Sequence, residues 1–146
     1  MPNQQQIDTK IARLRYAGAE EFVAESPSGH SIVSSVAHDH VTAPTPMELI
    51  LMALGGCSGA DVISILEKKR QGVTGYEIEV RGERRAEHPR IYTKIEVVHR
   101  LHGHGIDPKA VADAIHLSQT KYCSVSGMLS LAATISMTFE ITDEGT

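Results

Sequence analysis

Cys57 and Cys123 are the two cysteines of this 146-residue chain, and each lies in a segment suited to a reactive thiol. Cys57 sits in Leu54-Gly55-Gly56-Cys57-Ser58-Gly59, inside what otherwise reads as a long apolar helix. A glycine within a helix costs about 1 kcal/mol relative to alanine, so the three here give up roughly 2–3 kcal/mol of helix propensity. Two uses justify that cost: close packing of the helix on a neighbour, or an unobstructed approach to the sulfur. Cys123 sits in Lys121-Tyr122-Cys123-Ser124, where one helical pattern ends and another begins. Free amides and the dipole of a helix start stabilise a thiolate, and Lys121 adds positive charge in sequence. The bland reading of a lone cysteine is a small buried hydrophobe. The two are not a C-x-x-C pair, so only the fold can bring them together. That arrangement suits a peroxidatic and a resolving thiol: one is oxidised to sulfenic acid and the other condenses with it to a disulfide.

Histidines offer a competing chemistry. His99, His102 and His104 lie close in sequence, and His38-Asp39-His40 forms a second group. Neither has an established zinc spacing, and neither cysteine is at the usual sequence distance, so they read as surface loop residues and no metal site is expected. Gly103 and Gly105 lack the strand-then-helix setting of a nucleotide loop, and no cofactor is expected. Arg81-Gly82-Glu83-Arg84-Arg85 alternates cations with acids, as a solvated strand face does, though its arginines remain candidates for a site.

Composition bounds the rest. The length suits one domain, 1–146, with a core that needs no disulfide staples. With 41% hydrophobic and 22% charged residues the chain reads as an ordinary soluble globular protein, and 4% aromatic content makes the core aliphatic. A net charge of −4 gives no electrostatic reason to expect nucleic acid or an anionic membrane as partner. Met1 to Gln6 has no charged-then-apolar signal region, and the strongly apolar run Leu49 to Leu54 is too short to cross a bilayer. The expected location is therefore cytoplasmic, where a cysteine pair is transiently redox-active rather than permanently bridged.

The elements that must position the thiols follow from periodicity. Strands are expected over about 8–16, 20–25 and 30–35, with a hairpin at Ser26-Pro27-Ser28-Gly29 and a loop from Val36 to Pro44. Thr45 with Glu48 forms a capping-box pattern and Pro46 suits the first turn of a long helix, which Gly72 ends. Its first half, Met47 to Leu54, is apolar all round and should be buried on all sides, which a single sheet cannot do; a partner subunit would. Tyr76 to Arg85 and Ile91 to Leu101 read as an antiparallel hairpin. Asp107-Pro108 opens a helix to roughly Lys121, a short helix runs from Ser124 to Leu131, and a strand covers about 134–142. Strands and helices without regular alternation indicate an α+β domain.

Taken together, Thr45-Pro46-Met47-Glu48-Leu49, Gly55-Gly56-Cys57-Ser58, Glu83-Arg84-Arg85 with Pro89-Arg90, and Lys121-Tyr122-Cys123-Ser124-Val125 resemble the OsmC/Ohr family of bacterial redox proteins, most of all its YhfA-like branch. The resemblance runs from about Asp8 to Ile141. It implies antiparallel β-sheets around a long central helix in an intertwined homodimer, with active sites at the subunit interface. It also implies thiol-dependent reduction of peroxides, organic hydroperoxides above all, as part of oxidative-stress defence. Cys57 then stands at the peroxidatic and Cys123 at the resolving position, and a dithiol such as a lipoylated protein is the reductant. Two places depart from the peroxidase branches. Their activating arginine corresponds to Ala17-Gly18-Ala19-Glu20-Glu21-Phe22, which has acids and no arginine. Their glutamate directly after the helix-opening proline is Met47 here, with Glu48 one residue later. At about 100° per residue Glu48 is roughly opposite Cys57, so it reads as a capping residue. Arg13, Arg15, Arg84 or Arg85 could replace the missing cation. An unactivated thiol is only a few per cent ionised at neutral pH, which implies slow peroxide reduction. Two alternatives stand beside this reading: a non-peroxidase thiol protein on the same fold that binds a small electrophile or hydrophobic ligand, and a metal-binding or structural module built on the histidines.

Overall fold

A computed structural model describes residues 7–145, so the run Met1 to Gln6 and the expectation of no signal region lie outside the described residues. The chain divides into two compact units between Leu49 and Ile50.

In the first unit, β1 (Arg13–Gly18), β2 (Glu21–Glu25) and β3 (Ser31–Ser35) form an antiparallel meander. The hairpin at Ser26 to Gly29 forms as expected: Ser26 N donates to the His30 carbonyl at 2.8 Å and Gly29 N to that of Ser26 at 3.0 Å, with Gly29 at φ +83°. The first strand starts later than periodicity suggested, and its exposed apolar side chains include Leu14 and Tyr16. After the loop, α1 (Pro46–Lys68) opens with the Thr45 hydroxyl accepting from Glu48 N at 3.3 Å.

The second unit carries the rest of α1, then β4 (Gly72–Arg84), β5 (Tyr92–His104), α2 (Pro108–Leu117), a π-helical turn (Ser118–Tyr122), α3 (Ser124–Leu129) and β6 (Thr134–Asp143). The helix α1 ends before Gly72. Arg70, at φ +56°, takes the left-handed position, Arg70 N donates to the Glu67 carbonyl and Gln71 N to that of Leu66, both at 3.0 Å. Those two bonds close the helix as glycine usually does. The hairpin strands β4 and β5 are thirteen residues each, longer than read from sequence. β6 lies beside β5 in parallel, so this sheet, in the order β4-β5-β6, is mixed rather than antiparallel throughout. The helices between β5 and β6 make the crossover that a parallel pair requires.

Small residues let α1 lie close on β4. A Cβ on Gly55 would stand 3.2 Å from Val80 Cγ2, and one on Gly59 would stand 2.5 Å from Ile78 Cδ1. Further along, Val62 and Leu66 join Leu101, Val111, Ala114 and Ile115 in the main core. Along the first half of α1, Leu54 is fully buried but Met52 is 59% exposed, so this chain alone does not cover the helix on all sides. The whole helix is also long and apolar enough to cross a membrane by length and composition, which the six-residue run considered alone did not suggest. In this fold its Leu54, Gly55, Ser58, Gly59, Val62 and Leu66 are buried in the core.

A polar pair, buried His99 and half-buried Tyr76, borders that core. His99 is fully buried on β5, its Nδ1 is 2.6 Å from the Tyr76 hydroxyl, and its Nε2 has no hydrogen-bond partner. Burial holds His99 down at about 4 and pushes the Tyr76 phenol up.

Two expected outcomes follow from this packing. A Cβ on Gly103 would fall on the Gly72 carbonyl, which no rotamer can relieve, whereas nothing lies within 4 Å of one on Gly127 in α3. Gly103→Ala should lose about 1–3 kcal/mol or more in urea unfolding. Gly127→Ala should gain up to about 1 kcal/mol in the same measurement. Protonation of His99 gives the second. The unfolded chain takes up a proton near pH 6.5 that the folded chain refuses until about pH 4, so this stability is full above pH 6.5 and is lost as pH falls toward 4. Between pH 7.5 and 5, wild type should lose on the order of 2 kcal/mol more than His99→Gln. Parallel slopes for the two proteins would contradict it.

Candidate active site

The two cysteines meet. Cys57 Sγ, Cys123 Sγ and a carboxylate oxygen of Asp61 lie within 4.8 Å of one another. Cys57 and Asp61 are four residues apart on α1, hence one above the other on the same face. The opposing wall is built by a change of helix type. α2 widens into the π-helical turn, where Cys123 N donates to the Ser118 carbonyl at 2.8 Å. Such widened turns recur at functional sites. Cys123 follows in extended backbone as the N-cap of α3, its sulfur accepting from Ser126 N at 3.3 Å. Ser118, fully buried, ties the walls together: its carbonyl holds the Cys123 amide and its hydroxyl donates to Asp61 Oδ2 at 2.9 Å.

Burial distinguishes the two thiols. Cys57 is half-buried and Cys123 is 5% exposed. Burial raises the Cys123 thiol to about 11 against the opposing pull of the Ser126 amide, and Cys57 and Asp61 raise it further. The expectation of a primed thiolate at this helix start is therefore corrected: the helix start and its amide are present, but desolvation outweighs one backbone donor. Lys121 does not serve the sulfur as expected, since its Nζ stands 5.2 Å over the Tyr122 ring. Cys123 is a buried thiol held protonated, with a hydrogen bond to Cys57 that favours the neutral form.

The candidate arginines at the end of β4 and just beyond it are engaged elsewhere. Arg84 Nε donates to the Arg90 carbonyl at 2.7 Å and Arg85 Nε to that of Pro89 at 2.6 Å, binding the β4–β5 turn together. Arg84 is six residues along β4 from Ile78, about 20 Å at strand spacing, and Ile78 is the residue beneath Gly55 and Gly59. Arg81 bonds to Glu79 and Glu96 on an exposed face, as its alternating sequence suggested.

The histidines do not assemble. Strand alternation turns His99 inward, while exposed His104 pairs with Glu144 at 3.6 Å. His99, His102 and His104 are strand residues rather than loop residues, and His99 is a core residue rather than a surface one, whereas His38 and His40 lie exposed in a loop as expected. Among the described residues, the group whose donors are close enough to share a metal ion is Cys57, Asp61 and Cys123. Both thiols would have to lose their protons first, and the set is one donor short of a closed zinc site.

A cavity of about 440 Å³ lies beside the Cys57 turn, with Leu51, Met52, Gly55, Gly56, Tyr76 and Ile78 among its walls. Its lining reaches Gly56, the residue before Cys57, and is apolar except for Tyr76. Of the glycines around Cys57, Gly55 and Gly59 therefore serve close packing, and Gly56 borders open space.

Asp61 and Ser118 were not singled out from sequence. For Asp61 a signal existed, its four-residue spacing from Cys57, but an acid on the polar side of an amphipathic helix reads as solvated. Ser118 carried none, because its role depends on the π-helical turn.

The family model for OsmC-like protein matches residues 37–139. Protein YhfA of Escherichia coli strain K12 is 43% identical over 130 residues, 89% of this chain and 96% of that protein. The crystal structure of a hypothetical protein from Aquifex aeolicus VF5 is 33% identical, with a TM-score of 0.85, covering 94% of this chain and 99% of the other. An organic hydroperoxide resistance protein OsmC from Legionella pneumophila shares the fold at a TM-score of 0.66 and 12% identity, over 93% of this chain and 99% of its own. With both cysteine segments inside the matched region and the fold shared along nearly the whole length, this chain belongs to the OsmC-like family.

Proposed function

We propose that the protein is a thiol-dependent peroxidase that reduces organic hydroperoxides with Cys57 and closes the cycle with Cys123. The observation that carries this reading is the meeting of a half-exposed and a buried thiol within 4.8 Å. The Cys57 thiolate attacks the peroxide O–O bond, giving Cys57 sulfenic acid and an alkoxide that leaves as the alcohol after taking a proton. The Cys123 thiol then displaces water from that sulfenic acid, forming the disulfide. A dithiol, such as a lipoylated protein, reduces it and is itself oxidised. The apolar cavity next to the Cys57 turn supports an organic rather than a small polar substrate. Engagement of Arg84 and Arg85 with the β4–β5 turn favours one second reading, a disulfide-exchange protein of the same fold in which peroxide is a poor substrate.

The functional unit in this reading is a homodimer. Leu14 at 62% exposed, Tyr16 at 59% and Met52 at 59% leave apolar side chains uncovered in both units of the chain, and a second copy is the simplest cover.

Stoichiometric cumene hydroperoxide should remove two hydrogens from the intact mass and yield a peptide pair linked through Cys57 and Cys123. Cys123→Ser should instead gain one oxygen on Cys57, and Cys57→Ser should consume no peroxide. Over-oxidised Cys57 beside a free Cys123 in wild type would sink the resolving role. Disulfide formation with diamide but none with the hydroperoxide would favour the exchange reading. For the assembly, light scattering at low micromolar concentration should give twice the chain mass, and a folded monomer there would refute it.

A further inference from the structure

Resolution of the sulfenic acid has a difficulty that the two sulfurs alone do not overcome. Burial holds Cys123 protonated well above neutral pH, so little of its thiolate is present near pH 7. The thiolate is nevertheless the attacking species. A base within reach of the Cys123 proton removes that penalty by taking the proton as the sulfur–sulfur bond forms, an effect worth about 10²–10⁴-fold.

We propose that Asp61 is that base and that Ser118 is the residue that positions it. The proposal rests on the two-thiol reading above. Geometry supports it at three points. An Asp61 carboxylate oxygen lies within 4.8 Å of both reacting sulfurs. Its Oδ2 is fixed by the Ser118 hydroxyl at 2.9 Å, and the same residue's carbonyl fixes the Cys123 backbone, so base and thiol are aligned by one side chain and its own peptide. Asp61 also borders a hollow of about 280 Å³ with Ser64, Ile65, Lys68 and Tyr122, which gives the carboxylate access to solvent for proton exchange.

The step balances within the site. The Cys123 S–H bond breaks and its proton passes to the Asp61 carboxylate, while the sulfur's electron pair forms the bond to Cys57. The Cys57 S–O bond breaks, and the departing hydroxide takes the proton from Asp61 and leaves as water. Cys123 is oxidised, the sulfenic sulfur of Cys57 is reduced, and Asp61 returns to its starting state.

A nearby carboxylate has an opposite effect as well, since its charge raises the Cys123 thiol. The two roles have opposite signs in an experiment. If Asp61 only repels the Cys123 thiolate, Asp61→Asn frees that thiolate and speeds closure. If Asp61 takes the proton, the same substitution slows it.

The test loads Cys57 with 5-thio-2-nitrobenzoate from Ellman's reagent and follows release of the second nitrothiobenzoate as Cys123 attacks the mixed disulfide. Cys123→Ser gives the background. Asp61→Asn should slow closure at least tenfold at pH 7, with the deficit shrinking as pH rises toward Cys123's own ionisation, and Asp61→Glu should recover part of the rate. Ser118→Ala, which keeps the carboxylate but frees it, should slow closure severalfold and serves if Asp61→Asn fails to fold. Closure at the wild-type rate or faster in both variants overturns the proposal. This assay needs no peroxide, so a wild type that closes the disulfide here but ignores cumene hydroperoxide would defeat the peroxidase reading and leave the role of Asp61 standing.

Discussion

Close packing of α1 on the sheet fixes where its turns carry Cys57 and Asp61. Gly55 and Gly59 present no side chain where Val80 and Ile78 rise to meet the helix, and a methyl group at Gly59 would overlap Ile78. Interiors are close-packed and pass such displacements on rather than absorbing them. Cys57 and Asp61 ride on the same two turns, so a helix displaced by even an ångström would shift both relative to Cys123. The roughly 2–3 kcal/mol of helix propensity given up by the glycines is therefore tied to the geometry of the site as much as to access to the sulfur.

Ser118 performs the complementary task from the other wall. A regular α-helix would carry its i→i+4 bonds straight through this region. The wider turn lets the Ser118 carbonyl reach the Cys123 amide five residues on and ends the helix in the extended backbone that starts α3. The Ser118 hydroxyl is buried and bonded, as a buried polar group must be. Its partner is Asp61, an acid beside the sulfurs, so one contact satisfies the buried hydroxyl and holds the carboxylate. Burial makes Cys123 a poor thiolate and at the same time shields it from solvent oxidants.

Much of this was legible in the residues. Thr45, Pro46 and Glu48 marked the start of α1, Ser26 to Gly29 the first hairpin, and Asp107 with Pro108 the start of α2, because caps and turns are local and their chemistry is complete within a few residues. Both cysteines were identified from their settings and from a family resemblance. Other features were not readable in that way. The parallel placement of β6 depends on where a crossover returns the chain, and the end of α1 at Arg70 depends on backbone bonds that a non-glycine residue happened to accept. The histidines looked like a cluster because sequence distance hides the alternation that sends His99 into the core.

Sequence by itself determined most of the elements, the α+β class and the two cysteines as candidates for chemistry, since these follow from short-range periodicity, capping and residue type. Tertiary structure alone decided that Cys57 and Cys123 stand within 4.8 Å of each other, that Asp61 and Ser118 join them, and that Cys123 is a protonated thiol rather than a primed thiolate. The reason is physical. Distances between residues sixty-six positions apart, and the desolvation that sets a thiol's ionisation, are properties of the packed interior; no local stretch of chain contains them.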